Sequence, residues 1–480
     1  MNYEAVIGLE VHIELETRSK MFCRCSTDYF TAKPNTHTCP VCLGLPGALP
    51  VANQKAIEYA QRFGLALGCD LFTKSKFDRK NYFYPDLAKG FQISQYELPF
   101  SQKGSIEIRI DDKAKKINIT RAHLEEDTGK LTHAKVKGKN VTLIDFNRSG
   151  VPLLEIVSDP DITSALEAKS YAQKLQQLAR YLEVSSADME KGSMRIEPNV
   201  SLRKSGEKAL PDYKVELKNI NSFKFAEGAI NYELERQTKA LEKGERLIQE
   251  TRGWNEKENK TVSQRFKEEA HDYRYFPEPD LPPLSFNTRH LSNIKRNIPE
   301  MPDVKLERFK KQYNFASYDA QILTSDKIIA DFFEETLKAY KKDDPKRVAN
   351  WIIGELLRRL RENGKSLKYI DLLPANLAEL LYLADTAEIT QNIAKEVFAK
   401  MLETGKTAQS IIKSMGLTKM SVEDLEVLIN KILKENKKAV NDFRKGKEAS
   451  IGFLIGQVQK EAKGQADANL TRRLLLEKLK

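Results

Sequence analysis

The chain has 480 residues and a formal net charge of +11, and 40% of its residues are hydrophobic. This length exceeds one ordinary core and this apolar content excludes a disordered chain, so we expect two or three folded domains. No apolar stretch is long enough to cross a bilayer, and the N-terminus lacks the basic region of a signal peptide, so no membrane association is predicted.

A strand with one apolar face is predicted near the start of the chain. Apolar and polar residues alternate there with a period of two, the apolar set being Leu9, Val11, Ile13 and Leu15 and the polar set Glu10, His12, Glu14 and Glu16. Residues two apart on a strand point to the same side, so Glu10 and His12 are expected to share the polar face.

Four cysteines follow this strand in two close pairs, at Cys23, Cys25, Cys39 and Cys42. Two such pairs separated by a loop can close a tetrahedron around zinc, and four thiolates leave no open position for chemistry. We therefore predict a structural zinc site, against the alternative of four unbound thiols. Such pairs suit a reducing compartment, so a cytoplasmic protein is expected. Cys69 lies outside the pattern and is predicted to be a small core residue.

A basic and aromatic loop is predicted at Phe77–Gln95, with Arg79, Lys80, Tyr82 and Lys89. The chain contains no Walker pattern of Gly-x-x-x-x-Gly-Lys-Ser/Thr. Phosphate binding would therefore depend on side-chain cations and a metal rather than on a glycine-rich loop. A surface loop with scattered charges is the alternative.

Four further strands are predicted at Ser105–Ile110, Lys116–Thr120, Asn140–Phe146 and Pro152–Val157, and the short polar turns between them favour antiparallel pairing. Three groups of polar residues accompany these strands: Arg121, His123, Glu125 and Asp127; then Asp145, Asn147 and Arg148; then Glu155. Glu155 interrupts an apolar run, where a carboxylate is costly unless it binds a cation or a partner. Carboxylates with an imidazole suit a divalent ion such as magnesium, although ion pairs or a solvated strand face are the alternatives.

The remainder of the chain becomes increasingly helical. Helices are predicted at Ser164–Leu182 and Phe223–Lys243, with strands between them at Met194–Leu202 and Asp212–Ile220. The Pro-rich stretch Phe276–Pro283 marks a boundary, beyond which the apolar spacing is helical, and a second hinge is predicted near Gly405–Gly416. From Leu425 onwards there are 13 basic and 7 acidic residues, which favours a polyanionic partner, with a Lys-rich solvated surface as the alternative.

Taken together, these stretches resemble the B subunits of tRNA-dependent amidotransferases. The resemblance covers most of the first 284 residues and returns in the tail. It rests on these motifs: IGLEVHIEL at Ile7–Leu15, CPVCLGLPGALP at Cys39–Pro50, FDRKNYFYPDL at Phe77–Leu87, RAHLEEDTGKL at Arg121–Leu131, DFNRSGVPLLEIVSDPD at Asp145–Asp161, MRIEPNVS at Met194–Ser201, VELKNINSF at Val215–Phe223, DYRYFPEPDLPPL at Asp272–Leu284 and DFRKGKEASIGFLIGQV at Asp442–Val458.

The resemblance implies an α+β fold. A cradle domain of the glutamine synthetase type, with a mostly antiparallel sheet and the zinc-binding loop, is expected at 1–290. A helical domain is expected at 291–410 and a small basic helical tail domain at 411–480.

The resemblance also implies an enzyme, a ligase that forms a carbon–nitrogen bond with glutamine as amido donor. ATP would activate the side-chain carboxylate of misacylated Glu-tRNA(Gln) or Asp-tRNA(Asn), and ammonia from a separate amidase (A) subunit would then displace the phosphate. A small C subunit would complete a heterotrimer. The expected magnesium and catalytic residues are Glu10, His12, Glu125 and Glu155, and the expected nucleotide and phosphate contacts are Arg79, Lys80, Tyr82 and Lys89.

Two other functions compete with this interpretation. The first is a non-catalytic tRNA-binding module with a zinc knuckle and a basic tail. The carboxylates at Glu10, Glu125 and Glu155 argue against it, because acids on an RNA-binding face would oppose binding. The second is the related archaeal subunit restricted to Glu-tRNA, which carries a large inserted domain for which 480 residues leave little room.

Overall fold

The computed structural model describes residues 3–110, 113–266, 273–416, 420–462 and 465–479. Asp272, the first residue of one family motif, and residues 417–419, just beyond the predicted hinge, lie outside the described residues. The chain divides into two compact units, Met1–Met301 and Pro302–Lys480.

The first unit contains sixteen strands and four helices among its described residues. The strands are β1 (Tyr3–Glu14), β2 (Asp70–Leu71), β3 (Lys74–Ser75), β4 (Asp78–Asn81), β5 (Phe91–Ser94), β6 (Ser101–Ile110), β7 (Lys113–Glu126), β8 (Lys130–Val136), β9 (Lys139–Asp145), β10 (Pro152–Ser158), β11 (Met194–Lys204), β12 (Val215–Lys218), β13 (Glu250–Asn255), β14 (Lys260–Phe266), β15 (Phe276–Pro277) and β16 (Leu284–Ser285). The helices are α1 (Gln54–Ala66), α2 (Ala165–Tyr181), α3 (Phe223–Glu242) and α4 (Thr288–Arg296).

Nine of these strands form one sheet, in the order β14-β13-β12-β11-β1-β10-β7-β6-β2. Within the described residues, β12 and β13 are its parallel pair and the other neighbours are antiparallel. The apolar residues of β1, such as Ile7, Leu9 and Val11, are fully buried in one core with residues of α1, α2 and α3. The helices therefore cover the apolar face, and the opposite face carries the polar residues of the alternating strands.

The expected mixed fold with a largely antiparallel sheet is confirmed, with differences in detail. The strand predicted at 105–110 is the C-terminal part of the longer strand β6, and the strand predicted at 116–120 lies within the longer strand β7. The strand predicted at 140–146 corresponds to β9, which pairs with β8 in a separate two-stranded hairpin. α2 begins one residue later than predicted, because the hydroxyl of Ser164 caps it by accepting a hydrogen bond from the Glu167 backbone N–H at 3.1 Å.

Close approach of the α1–β2 connection to β6 requires glycine at one position. A Cβ on Gly104 would lie 2.4 Å from Cys69 Sγ and 2.6 Å from the Leu67 carbonyl oxygen. Cys69 is buried in the main core of this unit, which confirms its predicted place.

The last helix of the unit, α4, packs on α1, where a ring nitrogen of His290 lies 2.9 Å from Gln61 Oε1.

The second unit is helical throughout its described residues, as predicted. Its α-helices are α5 (Pro302–Tyr313), α6 (Ser317–Leu323), α7 (Lys327–Ala339), α8 (Pro345–Trp351), α9 (Leu357–Glu362), α10 (Pro374–Asp385), α11 (Gln391–Thr404), α12 (Ala408–Met415), α13 (Val422–Glu435), α14 (Lys437–Arg444), α15 (Ala449–Glu461) and α16 (Ala468–Leu479). A π-helical turn at Ile352–Leu356 joins α8 to α9, and Leu367–Tyr369 forms a 3₁₀ turn.

Two separate cores organise this unit. One extends from Phe309 to Ile411 and the other from Leu425 to Leu479. The division of the whole chain at 290 and 410 stays a prediction. Over the residues described, the structure shows no helix with the length and apolar character needed to cross a membrane.

Candidate active site and metal centre

Three adjacent strands, β1, β10 and β7, bring a histidine and two glutamates together on the polar face of the sheet. His12 lies directly opposite Glu155 in the strand register. His12 Nε2 is 3.4 Å from Glu155 Oε2 and 3.8 Å from Glu125 Oε1. One possible ligand atom from each of these residues lies within 4.8 Å of the others. The structure thus brings together three of the four predicted magnesium residues.

His123 is a fourth member of this arrangement. It lies opposite Glu155 on β7, with its Nε2 3.4 Å from Glu155 Oε2 and 3.9 Å from Glu125 Oε2. Its position two residues before Glu125 is the sequence signal that placed both on one face, but the prediction gave His123 no role. The Nδ1 atoms of His12 and His123 are buried without a hydrogen-bond partner.

Glu10 lies on the same strand face but beside this cluster rather than within it. Its Oε1 accepts a hydrogen bond from Asn199 Nδ2 at 3.0 Å, and it stands opposite Glu197 in the register with β11. Burial and the nearby Glu155 and Glu197 raise the pKa of Glu10. Its place among the magnesium ligands stays a prediction.

The pKa values of the two carboxyl groups in the cluster are shifted in opposite directions. Burial disfavours ionisation of Glu155, but His123 and His12 outweigh burial and hold its pKa well below the usual value. Burial and the charge of Glu155 raise the pKa of Glu125. Burial also disfavours the charged imidazole of His12, but the hydrogen bond to Glu155 and the charges of Glu155, Glu197 and Glu125 together outweigh burial and raise the pKa to about 9. Two carboxyl groups this close disfavour each other's ionisation, so the pKa of one is raised when no cation lies between them.

The donor atoms of the cluster fit a divalent cation. Two buried carboxylates and a neutral imidazole would hold a hard ion, which leaves other coordination positions for waters and phosphate oxygens. The raised pKa of Glu125 beside Glu155 is the feature of this site that a bound cation would relieve.

Lys80 approaches this cluster from β4. Burial opposes its charge, but Glu125 and Glu155 outweigh burial and raise the pKa of Lys80 above its usual value. Its Nζ lies 5.0 Å from the ring centroid of Tyr273 and 6.0 Å from that of Tyr82. The predicted basic loop therefore delivers one cation, held between aromatic rings, to the acidic cluster.

Tyr275 is a site residue to which the sequence prediction assigned no role. Burial raises its pKa to about 12, with Lys80 opposing and Glu125 reinforcing the shift, so its phenol is neutral beside the cluster. Its ring stacks on Tyr96 with a centroid distance of 4.2 Å. Tyr275 lies in one of the motifs that support the family resemblance. The sequence offered no spacing argument to connect it with Glu125, which lies 150 positions earlier in the chain.

Arg79 and Lys89, the other predicted phosphate contacts, both form ion pairs with buried glutamates. Arg79 donates to Glu278 in a bidentate pair, at 2.7 Å from Nε and 2.8 Å from a terminal nitrogen. Lys89 donates to Glu126, whose carboxylate also accepts a hydrogen bond from the Ile93 backbone N–H at 2.9 Å. Their contacts to nucleotide, and that of Tyr82, stay predictions.

Replacing Arg79 with Met is expected to lower the free energy of unfolding by about 3 kcal/mol, because the buried Glu278 would lose its bidentate partner. Chemical denaturation of the variant measures this cost. Lys76→Met is the matched control, because it removes a cation paired with the equally buried Asp78. It is expected to lower the free energy of unfolding less, because Lys76 contacts Asp78 through one ion-pair contact rather than a bidentate pair. Unchanged stability of the Arg79 variant together with a raised KM for ATP would instead place this guanidinium at the nucleotide.

Two other acids that the sequence placed near the metal have different partners. Asp127 lies 2.8 Å from a terminal nitrogen of Arg195 and 3.7 Å from Arg148 Nε. Asp145 accepts hydrogen bonds from the backbone N–H groups of Asn35 and Asn147. Asp127 therefore connects the end of β7 to β11, and Asp145 organises the turn that follows β9.

The four cysteines predicted to bind zinc do converge. One sulfur atom from each of Cys23, Cys25, Cys39 and Cys42 lies within 4.8 Å of the others. The Cys39 backbone N–H donates to Cys42 Sγ at 3.1 Å, and a hydrogen bond from Cys23 is the main cause that lowers the pKa of the Cys42 thiol. Four sulfurs at this spacing fit a tetrahedral thiolate site. His37, which lies in the sequence between the two cysteine pairs, is not a member of this group.

Comparisons with known proteins show the family to which the chain belongs. The model of the GatB/GatE catalytic domain matches residues 5–292, and that of the GatB domain matches residues 331–479. Relatives described as B subunits of an aspartyl/glutamyl-tRNA(Asn/Gln) amidotransferase include that of Caldanaerobacter subterraneus subsp. tengcongensis, 52% identical over 100% of both chains. That of Thermoanaerobacter pseudethanolicus is 51% identical over 100% of both chains, and that of Thermotoga maritima is 47% identical over 99% of this chain and 98% of its own.

The catalytic-domain match includes the strands that carry His12, Glu125 and Glu155, and the four cysteines. The second match falls within the helical unit. The chain therefore belongs to the GatB/GatE family and is an amidotransferase subunit, an enzyme component that forms carbon–nitrogen bonds with glutamine as donor.

Proposed function

We propose that this chain activates the side-chain carboxylate of misacylated Glu-tRNA(Gln) or Asp-tRNA(Asn) with ATP and then amidates it. The observation that carries the proposal is the buried cluster of His12, Glu125 and Glu155 with Lys80 facing it. The names of the relatives supply the substrate class, since those proteins are aspartyl/glutamyl-tRNA(Asn/Gln) amidotransferase B subunits.

The chemistry of activation explains why such a cluster is needed. A substrate carboxylate oxygen attacks the γ-phosphorus of ATP, and the bond from this phosphorus to the β,γ-bridging oxygen breaks. ADP departs with the bonding electrons, and the product on the substrate is an acyl phosphate. Two anions must meet for this step, so cations have to offset their repulsion. A magnesium ion held by His12, Glu125 and Glu155, with Glu10 alongside, would supply positive charge to the phosphate oxygens when bound.

The side chains of this protein have separate parts in this proposal. Lys80 is the cation that would bind a phosphate oxygen, and Tyr82 and Tyr275 would exclude water from the acyl phosphate. His12 orients Glu155 and acts as a ligand rather than a general base. Ammonia then attacks the acyl carbon with its lone pair, phosphate leaves with the bonding electrons, and a proton is lost to give the amide.

The source of ammonia and the assembly belong to the same proposal. Ammonia would come from glutamine hydrolysed by a partner amidase (A) subunit and pass through a channel, with a small C subunit completing a heterotrimer in the cytoplasm. The first unit would have the cradle fold of the glutamine synthetase type. Its large sheet with one polar face supports this fold, and the two cores of the second unit support separate helical and tail domains.

The four-cysteine group would hold a structural zinc ion in this proposal. The convergence of four sulfurs supports it, and a closed site of this kind contributes to folding rather than to chemistry.

Co-expression with candidate A and C subunits, followed by amidation assays on both misacylated tRNAs, tests the proposed function. Amidated tRNA and ADP should form together when ATP and glutamine are supplied. Ammonium chloride should replace glutamine, because the chain itself accepts ammonia. Amidation without ATP turnover, or no amidation of either tRNA, would contradict the proposal.

The tail would bind tRNA, so deleting the residues after Gly416 is expected to weaken tRNA binding by about ten-fold at moderate salt. The deletion removes the core from Leu425 to Leu479 and leaves the other core of the helical unit complete. Filter binding measures the loss, and amidation at saturating tRNA is the control that should survive. Equal tRNA affinity of the shortened and full chains would make the basic tail only a solubilising surface.

A further inference from the structure

Lys20 is completely buried, with a relative exposure of 0%. Its ammonium donates to the backbone oxygens of His37 at 2.7 Å and Phe146 at 3.3 Å, and it lies 3.8 Å from Cys42 Sγ. The two carbonyls satisfy hydrogen bonds but carry no net charge. A buried charge is costly unless an opposite charge accompanies it, and among these three contacts only the sulfur can be an anion.

A divalent metal held by the four cysteines would be favoured by a further cation beside it. Four thiolates around one divalent ion leave two negative charges uncompensated, and Cys42 is the buried member of the group. A fixed ammonium beside that sulfur offsets part of this charge. Groups just outside a metal site orient its ligands and tune its affinity in this way.

Lys20 also connects two segments that are far apart in sequence. The loop that carries the cysteines, residues 23–42, is bound to the turn at 144–149 by hydrogen bonds of 2.7–3.0 Å in both directions. The bonds run from Asn35 N to Asp145 Oδ1, from Asn35 Nδ2 to the Ile144 oxygen, from Phe146 N to Asn35 Oδ1, from His37 N to Asn147 Oδ1 and from Asn147 Nδ2 to the Lys33 oxygen. The ammonium joins both sides, since His37 belongs to the loop and Phe146 to the turn. This turn leads directly into β10, which carries Glu155.

We propose that Lys20 is the buried counter-cation of a metal held by the four cysteines and that it couples metal loading to the turn at 144–149. Metal binding draws the sulfur and the ammonium together, and the ammonium holds the turn from which β10 starts. The metal centre therefore helps to position the strand of Glu155 without touching the substrate. This inference rests on the zinc site of the proposed function.

Lys20→Met in the full-length chain tests the charge, because Met keeps an unbranched side chain and removes the ammonium. Zinc content by mass spectrometry and competition with a chromogenic chelator give stoichiometry and affinity. The variant is expected to bind zinc about 10- to 100-fold more weakly than the unmodified chain. Lys33→Met, which removes an exposed cation from the same loop, is the matched control and should bind zinc normally.

The outcomes separate the two proposals. An unmodified chain that binds no zinc would contradict the metal site itself. An unmodified chain that binds zinc, with a Lys20 variant that binds it equally tightly, would overturn the role of Lys20 alone.

A second measurement needs no variant. Stripping zinc from the unmodified chain should accelerate hydrogen exchange at the amides of Asn35, His37 and Phe146 by about ten-fold or more, because local opening would cost less free energy, while the amides of β13 keep their rates. Unchanged exchange at Phe146 after zinc removal would overturn the coupling.

Discussion

Replacing Glu125 with Gln in the assembled enzyme is expected to lower ATP-dependent amidation of misacylated tRNA by on the order of 100- to 1,000-fold. Glutamine keeps the size of the side chain and removes its charge from a position that is only 3% exposed. The variant would leave the cation site with one carboxylate and remove a counter-charge of Lys80. ADP release and amidated tRNA, followed together in single turnovers, measure the loss.

A matched control separates this effect from a general change of charge. Glu107→Gln makes the same chemical change on β6 of the same sheet, where the side chain is 51% exposed, and is expected to leave amidation unchanged. The glutaminase activity of the partner and tRNA binding should survive in both variants. Near-normal amidation by the Glu125 variant would move the metal site towards Asp127 and Asp145.

Replacing Cys39 and Cys42 together with Ser is expected to remove zinc and to lower the melting temperature by on the order of 10 °C. A ligand present at a thousand times its Kd contributes about 4 kcal/mol to folding, and losing it lowers Tm in proportion. The loop between the cysteine pairs has no buried residue at 26–38, so hydrogen bonds to the turn at 144–149 and the metal hold it rather than a core of its own. Calorimetry and metal analysis of the same sample measure both losses.

Cys69→Ser is the control for sulfur chemistry at a buried position. It changes a core cysteine outside the four-sulfur group and should keep full zinc content despite some loss of stability. A double variant at Cys39 and Cys42 that lost zinc and kept the melting temperature of the unmodified chain would show that the metal does not support the fold.

Local pattern predicted which faces of the strands are polar, but it could not predict which strands are neighbours. The period of two placed His12 on the polar side of β1, and the isolated charge in an apolar run singled out Glu155. Their contact depends on β10 lying between β1 and β7. The pairing of β1 with β10 joins segments more than 100 residues apart, which periodicity does not encode.

The partners of charged residues show the same limit more clearly. The sequence identified Arg79 as a cation in an aromatic loop, which is correct as far as local composition reaches. Its bidentate partner, Glu278, follows 199 positions later in the chain. Because β15 pairs with β4, this distant carboxylate lies against the guanidinium, a contact that only the tertiary fold reveals.

The central place of β1 in its sheet has a consequence for synthesis on the ribosome. β1 emerges before the other strands of this sheet, yet its two neighbours are β10 and β11, so it cannot be paired on both sides until translation has passed Lys204. At roughly 5–20 residues per second this interval lasts about 10 to 40 s. Meanwhile the nascent strand presents Ile7, Leu9 and Val11 with open backbone edges, the kind of segment that chaperones shield and that aggregates when left exposed. Glu10 and Glu14 alternate with these apolar residues along the strand, so the charges on its opposite face also disfavour aggregation of the unfinished chain.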